Sequence, residues 1–550
     1  MTNSNTVTET NYSALTTLTT VFFFWGFIAA GNSIFIPFCK NYFSLDQFQA
    51  QLIDFAFYLA YFLGALGLFA AGSSSGKDIV GSWGYKKSII YGLLFSALGA
   101  GAMIVSVYLN TFAGMLLGLF TVALGFSLQQ TSTNPFMISL GDPKTGSNRI
   151  NLGGAVNSLG TTLGPLIIAL ALFGSAGNVS DDMIASLSLN KVIILYACVG
   201  VLFLGIAFIL NLNKKVPSGI SSEVPEKANK ALYTLLTMTL LLGICFAPVF
   251  NSYVGLEKDD IATNAIEMNR MLWLAGGLAV VVGCILFARF ASSTSEESAK
   301  GWGAMKYPQL TMGMLAIFLY VGVEVAIGSN LGELLKQKAF GGYEASEIAP
   351  FVAMFWGSLM IGRWVGSVNV FPISDQKKMI LKFIVPFVAF GVVMGATYLA
   401  DYEIGVLKWY FICIIIQIVA FLLTKDKPAL TLSVFSALGL LAVIISLKTT
   451  GLVSVYALLS CGLACSIMWP CIFSLATAGL GKYTSQGAGF LVMMILGGAI
   501  IPPIQGKLAD LESVGIQNSF IIGGLCFAYL IYYAWSARRS LLDQNIDFES

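Results

Sequence analysis

The sequence predicts an all-α polytopic membrane protein whose core is two related six-helix bundles, with two additional transmembrane hairpins inserted. Three observations carry the prediction: apolar stretches of bilayer-spanning length, basic residues concentrated in alternate loops, and landmarks of the first half that recur in order in the second. Of 550 residues, 57% are hydrophobic and 11% charged, and the mean hydropathy is +0.80, a balance outside the range of soluble domains.

A run of about 20 apolar residues crosses the hydrocarbon core as a helix, because a helix satisfies its own backbone polar groups where no water can. Sixteen runs are predicted, at 14–38, 52–72, 88–108, 113–140, 152–174, 191–213, 231–254, 271–292, 309–334, 347–369, 379–400, 405–424, 428–447, 451–476, 484–506 and 517–537. With both termini cytoplasmic, Lys86 and Lys87, Lys214 and Lys215, Lys377 and Lys378, and Arg538 and Arg539 all fall on the cytoplasmic side, as the positive-inside rule requires. The opposite loops are acidic or mixed, as in Asp401–Glu403. An integral, multi-pass protein of the inner (plasma) membrane follows.

The repeat divides the chain. Phe57-Tyr58 precedes Gly64 as Phe355-Trp356 precedes Gly362, at an offset of 298 residues; Pro135 and Pro470 each precede a Ser-Leu pair at an offset of 335; Gly160 and Gly497 each lead a proline by five residues at an offset of 337. The jump in offset locates an inserted hairpin, most simply 379–424, and a second hairpin lies between the halves. The expected organisation is a cytoplasmic tail 1–13, a bundle 14–213, a linker with its hairpin 214–308, a second bundle with its insertion 309–537, and a tail 538–550.

The composition also excludes. A net charge of +2 without a basic block argues against nucleic acid as a partner. The nine cysteines have no metal-like spacing and read as small core residues, and histidine is absent, so no zinc site or histidine-based catalysis is implied. The polar N-terminal tail has no cleavage pattern and is not a signal peptide. A membrane-embedded enzyme would need a catalytic constellation that these residues do not supply.

Ionisable side chains inside spans are costly, about 2.5–3.5 kcal/mol each on insertion scales, and are functional-site candidates by default. Glu324 stands in mid-span and must be protonated, paired, cation-bound or engaged with a polar ligand. Asp54, one turn inside its span, either binds a coupling cation or caps or pairs near the outer surface. Arg363, near the cytoplasmic end of its span, can snorkel and reads as a gating or helix-locking residue. Amides concentrate in the first half at Asn32, Gln129, Gln130, Asn134 and Asn157, with Asn330 in the second. Gln130 and Asn134 share a helix face and can point into one cavity, although intramembrane amides also serve simply to bond neighbouring helices. Trp356 and Trp469 offer aromatic faces suited to a pyranose, with packing as the alternative.

Taken in order, Trp25-Gly26-Phe27, Phe55-Ala56-Phe57-Tyr58, Asn134-Pro135, Arg149-Ile150-Asn151-Leu152, Asn157-Ser158-Leu159-Gly160, Tyr320-Val321-Gly322, Gly362-Arg363 and Pro470-Cys471-Ile472-Phe473-Ser474-Leu475 resemble the fucose permease and glucose/galactose transporter family of the major facilitator superfamily. The resemblance covers both bundles but not the inserted hairpins. It implies the major facilitator fold, alternating access around a central sugar site, and uptake driven by a coupled cation. It also exposes a departure, for the two acids of the fucose permease pattern are replaced here by Ala30 and Gln130. Coupling then falls to Asp54, Glu324 or no carboxylate. The expected function is secondary active import of a neutral hexose or related monosaccharide by a monomer among membrane lipid, with no cofactor beyond a coupling ion, sodium or proton. A non-transporting sugar sensor and an exporter of another small metabolite are the alternatives.

Overall fold

The computed structural model describes residues 10–43, 47–75, 78–173, 189–220, 227–252, 264–293 and 295–546. Some side chains within helices, among them those of Asn32 and Asp54, lie outside the described residues. Among the described residues, every predicted apolar run falls on helix. The first half comprises α1 (Tyr12–Tyr42), α2 (Gln47–Ser75), α3 (Tyr85–Tyr108), α4 (Phe112–Ser139), α5 (Gly146–Phe173) and α6 (Leu189–Leu212). The first extra hairpin is α7 (Asn229–Asn251) and α8 (Asn264–Ala291). The second half begins with α9 (Pro308–Leu335) and α10 (Ala345–Ser367), and is interrupted by the second hairpin, α11 (Asp375–Leu399) and α12 (Phe411–Thr424). It resumes with α13 (Pro428–Lys448), α14 (Gly451–Cys465), α15 (Met468–Thr477), α16 (Thr484–Met493), α17 (Gly497–Asp510) and α18 (Ile521–Asp543). Among the described residues, 14 helical stretches are long and apolar enough to cross a membrane, while α1 and α5 are helices of 31 and 28 residues.

Two spans expected as continuous helices are each broken. The 451–476 run divides at Ser466-Ile467 into α14 and α15. Pro470 explains this, since its ring displaces the carbonyl four residues back, that of Ser466, and supplies no N–H to it. The 484–506 run tightens into a 3₁₀ turn at Met494–Leu496 between α16 and α17.

The same pairings recur in both halves. Helix α1 packs on α5 as α9 packs on α17; α2 on α4 as α10 on α14; and α3 on α6 as α13 on α18. Glycine makes the first of these crossings possible. A Cβ on Gly160 would overlap the Phe23 carbonyl, and one on Gly497 would overlap the Phe318 carbonyl. Small residues at such crossings let backbones touch, which matters where lipid is as apolar as a helix surface and only close packing favours the partner helix. The repeated Gly160 and Gly497 landmarks therefore mark equivalent crossings.

The halves meet along two seams, α5 against α10 and α2 against α16 and α17. Each inserted hairpin lies beside one seam. The α7–α8 hairpin touches α2 on one side and α9 and α17 on the other. Phe55 of α2 sits 5.8 and 5.1 Å from the rings of Phe246 and Phe250, and Lys507 of α17 pairs with Glu267 of α8 at 2.5 Å. The α11–α12 hairpin packs on α10, α13 and α14 and reaches α5, its base tied by Lys382 to Asp426 at 2.8 Å.

Gly497→Ala is expected to lower stability by about 1–3 kcal/mol, the usual cost of overpacking, whereas Gly243→Ala, whose Cβ would meet no neighbour, leaves it unchanged. Thermal unfolding of both variants in detergent checks this, and equal midpoints would refute the crossing argument.

Candidate functional site

The break at Pro470 sets the geometry of the centre. With no N–H at Pro470 to receive it, the Ser466 carbonyl turns toward α10 and accepts from Arg363 Nε at 3.2 Å. The same guanidinium donates Nη1 to Ser158 Oγ of α5 at 2.9 Å and Nη2 to the Tyr320 hydroxyl of α9 at 3.4 Å. Arg363 thus turns inward and joins the two halves. The expectation that it snorkels at a helix end is corrected: an acceptor freed by the broken helix and two hydroxyls satisfy the guanidinium within the protein.

Glu324 lies one helical turn beyond Tyr320, and the Tyr320 hydroxyl also bonds its carboxylate. Arg363 acts on Glu324 electrostatically, so cation, phenol and carboxylate form one cluster. Glu324 Oε2 is buried without a partner. The Trp469 ring stands 6.5 Å from the Tyr320 ring and stacks on Phe473 at 6.0 Å, walling the cluster on the α15 side. A buried acceptor without a donor is costly, and beside an aromatic face it is what a hydroxyl-bearing ligand or a small cation would satisfy.

The amides divide. Gln129 is wholly buried, accepting from Trp25 Nε1 at 2.8 Å and donating to Ser96 Oγ at 3.1 Å; its amide is spent inside the first half and does not face a cavity. Gln130 and Asn134 share a face as expected, but Gln130 donates to the Tyr61 hydroxyl at 3.1 Å and Asn134 donates back to the Gln130 carbonyl at 3.0 Å. Asn134 Oδ1 is left buried and unpartnered. Asn157 donates to the Phe22 carbonyl at 3.0 Å, bonding α5 to α1, and Asn330 to the Ala326 carbonyl at 2.9 Å within α9. Trp356 packs edge-on to Phe355 at 5.4 Å and against Gly328. Sequence reasoning passed over Tyr61, Ser158, Tyr320 and Ser466 as polar participants. Two signals were present: Tyr320 precedes Glu324 by four residues, and Ser466 precedes Pro470 by four.

The halves are closed together at the end of the bundle where α1 begins and α18 ends. On one seam, Trp364 Nε1 donates to the Ala155 carbonyl at 3.2 Å and the Tyr12 hydroxyl to the Val370 carbonyl at 2.9 Å. On the other, Phe69 meets Phe490 at 4.7 Å, and Tyr85 and Ser485 hydroxyls are 3.0 Å apart. Ser485 also bonds Asp78. Interhelical hydrogen bonds in membranes contribute roughly 0.6 kcal/mol each on average, so this closure is the sum of several weak bonds and is reversible.

Burial at the seam raises the Asp78 carboxyl above the ordinary aspartate value, against the lowering effect of its hydrogen bonds. The sign follows: the closed end binds a proton more readily than a hydrated Asp78 would, so this contribution to closure is complete below the ordinary carboxylate value and is lost as pH rises through the raised one. Acid is therefore expected to favour closure of this end, and Asp78→Asn to hold it closed independently of pH. Spin-label distances between Lys87→Cys and Lys482→Cys across a pH series check this; unchanged pH dependence in the variant would remove Asp78 as the cause.

Two packed six-helix halves, closed at one end around a charged cluster at their junction, have the architecture of the major facilitator fold. A solved structure of the Escherichia coli fucose:proton symporter superposes with a TM-score of 0.59 at 20% identity, covering 96% of this chain and 99% of that one. The chain belongs to the glucose/galactose transporter family. It is 30% identical over 539 residues to the glucose/galactose transporter of Brucella abortus, covering 98% of this chain and 97% of the relative. It is 28% identical over 527 residues to the putative glucose/galactose transporter of Helicobacter pylori, covering 95% and 96%. Its identity to the L-fucose-proton symporter of E. coli is 24% over 518 residues, covering 94% and 91%. No sequence profile of a known family matches the chain. These relatives are named as transporters, not enzymes.

Proposed function

We propose that this protein is a sugar symporter that imports a neutral hexose or related monosaccharide, driven by a sodium or proton gradient through alternating access. The reading rests on full-length similarity to glucose/galactose transporters, and one observation supports a site at the junction of the halves: the partnerless Glu324 oxygen there. In the proposed site, Glu324 and Asn134 Oδ1 accept from sugar hydroxyls, and Trp469 supplies the aromatic face that an apolar pyranose surface prefers. Glu324 is also the candidate for the coupling cation, with Asp54 the other. Arg363 is the gate, since its bond to Ser158 must break for the halves to part at the closed end. Gln129 is removed from the substrate set, and Trp356 serves packing. Both termini are placed in the cytoplasm, and the working unit is a monomer in the inner membrane. A sensor or an exporter is disfavoured by relatives named as symporters.

Reconstituted vesicles given labelled glucose, galactose and fucose are expected to accumulate at least one of them under an imposed sodium or proton gradient. Absence of concentrative uptake under both gradients would sink the reading. Glu324→Gln is expected to reduce accumulation to the passive level, and wild-type accumulation in that variant would reduce Glu324 to a structural residue.

A further inference from the structure

We infer that Gln417, carried by the inserted α11–α12 hairpin, is a positioning residue for the central site: it holds the broken turn between α14 and α15 so that the Ser466 carbonyl faces Arg363. The inference rests on the reading of the Arg363 and Glu324 cluster as the transport site.

Helix α12 reads FICIIIQIVAFLLT, and Gln417 is its sole amide, at the middle of a 14-residue apolar stretch. A hairpin that only faced lipid would gain nothing from an amide in the hydrocarbon core, where an unsatisfied polar group is costly. Gln417 is instead 3% exposed and turns into the protein. Its Nε2 donates to the Leu463 carbonyl at 3.3 Å and to Ser466 Oγ at 3.4 Å. Leu463 lies in the last turn of α14, where helix carbonyls lose their intrahelical partners. Ser466 Oγ donates to that same Leu463 carbonyl at 2.6 Å, so one amide ties together both polar groups of the break.

The crowding at Gly362 shows how tightly this junction is built. A Cβ there would overlap both Ser466 Oγ and Gln417 Nε2, and the next residue is Arg363. From Gln417 the contacts run through Ser466 to Arg363 Nε, and from Arg363 to Ser158 and Tyr320. The inserted hairpin is thereby connected to the group that joins the two halves. Gln417 Oε1, by contrast, is buried and unpartnered. The residue is present for its donor side, and the idle oxygen is a cost that a purely structural residue would not need to carry.

That cost makes the test decisive. Gln417→Met keeps the unbranched length, removes the donor and also removes the unsatisfied oxygen, so a merely structural role predicts unchanged or raised thermal stability and no functional change. The positioning role predicts unchanged or raised stability together with a loosened closed end. Double electron–electron resonance between labels at Lys144→Cys and Lys377→Cys, in a cysteine-free full-length background without sugar, is expected to show a longer and broader distance distribution in Gln417→Met. It should shift in the same direction as in Arg363→Ala, and the double variant should shift no further than Arg363→Ala alone. In vesicles the apparent KM for the transported sugar is expected to rise several-fold in Gln417→Met. A distribution superimposable on the parent, or a Gln417→Met shift that adds in full to that of Arg363→Ala, overturns the proposal. If the parent takes up none of the sugars, the functional reading fails while the distance measurement still decides the role of Gln417.

Discussion

A guanidinium and a carboxylate buried within membrane-spanning helices must each be compensated by the protein around them, and the architecture of this molecule's core follows from that constraint. Arg363 needs acceptors, and the helix that faces it supplies one by breaking. Pro470 frees the Ser466 carbonyl, which a continuous helix would have kept for itself. Tyr320 then relays between the two charges, donating to Glu324 while accepting from Arg363. What is left over, one oxygen of Glu324, is the part of the cluster free to bind something else.

The same cluster lies where the halves must move. Arg363 is anchored within the second half by Ser466 and Tyr320, and it reaches the first half through a single bond to Ser158. A group that is firmly held on one side and lightly held on the other can change partners when the halves rock. The repeated helix crossings at Gly160 and Gly497 are the complementary requirement. Direct backbone contact packs the helices within each half more closely than side chains alone would allow.

The two inserted hairpins change the meaning of those seams. Each lies beside one of them, and each sends a polar or aromatic group toward the moving parts: Glu267 to Lys507 and Phe246 to Phe55 on one side, Gln417 to Ser466 on the other. Helices outside the twelve-span core have no need of such groups to sit in lipid. Their inward-facing amide and charge instead tie each hairpin to a helix that lies at a seam between the halves.

Helix count, span positions and the repeat were legible in the chain because hydrocarbon leaves a backbone no alternative to helix over about 20 residues. The placement of an acid at Glu324 and a base at Arg363 was equally plain, and so was the demand that Glu324 find compensation. Only the tertiary structure decided which way these side chains turn. In a membrane both lipid and neighbouring helices are apolar, so hydropathy does not distinguish an outward face from an inward one. For this reason Gln129, one of a pair of adjacent glutamines, proved to be spent on Trp25 and Ser96, and Arg363 proved to face the opposite half. Gln417 drew no notice in its apolar stretch, because its partners, Leu463 and Ser466, lie 46 and 49 residues away and share no local pattern with it.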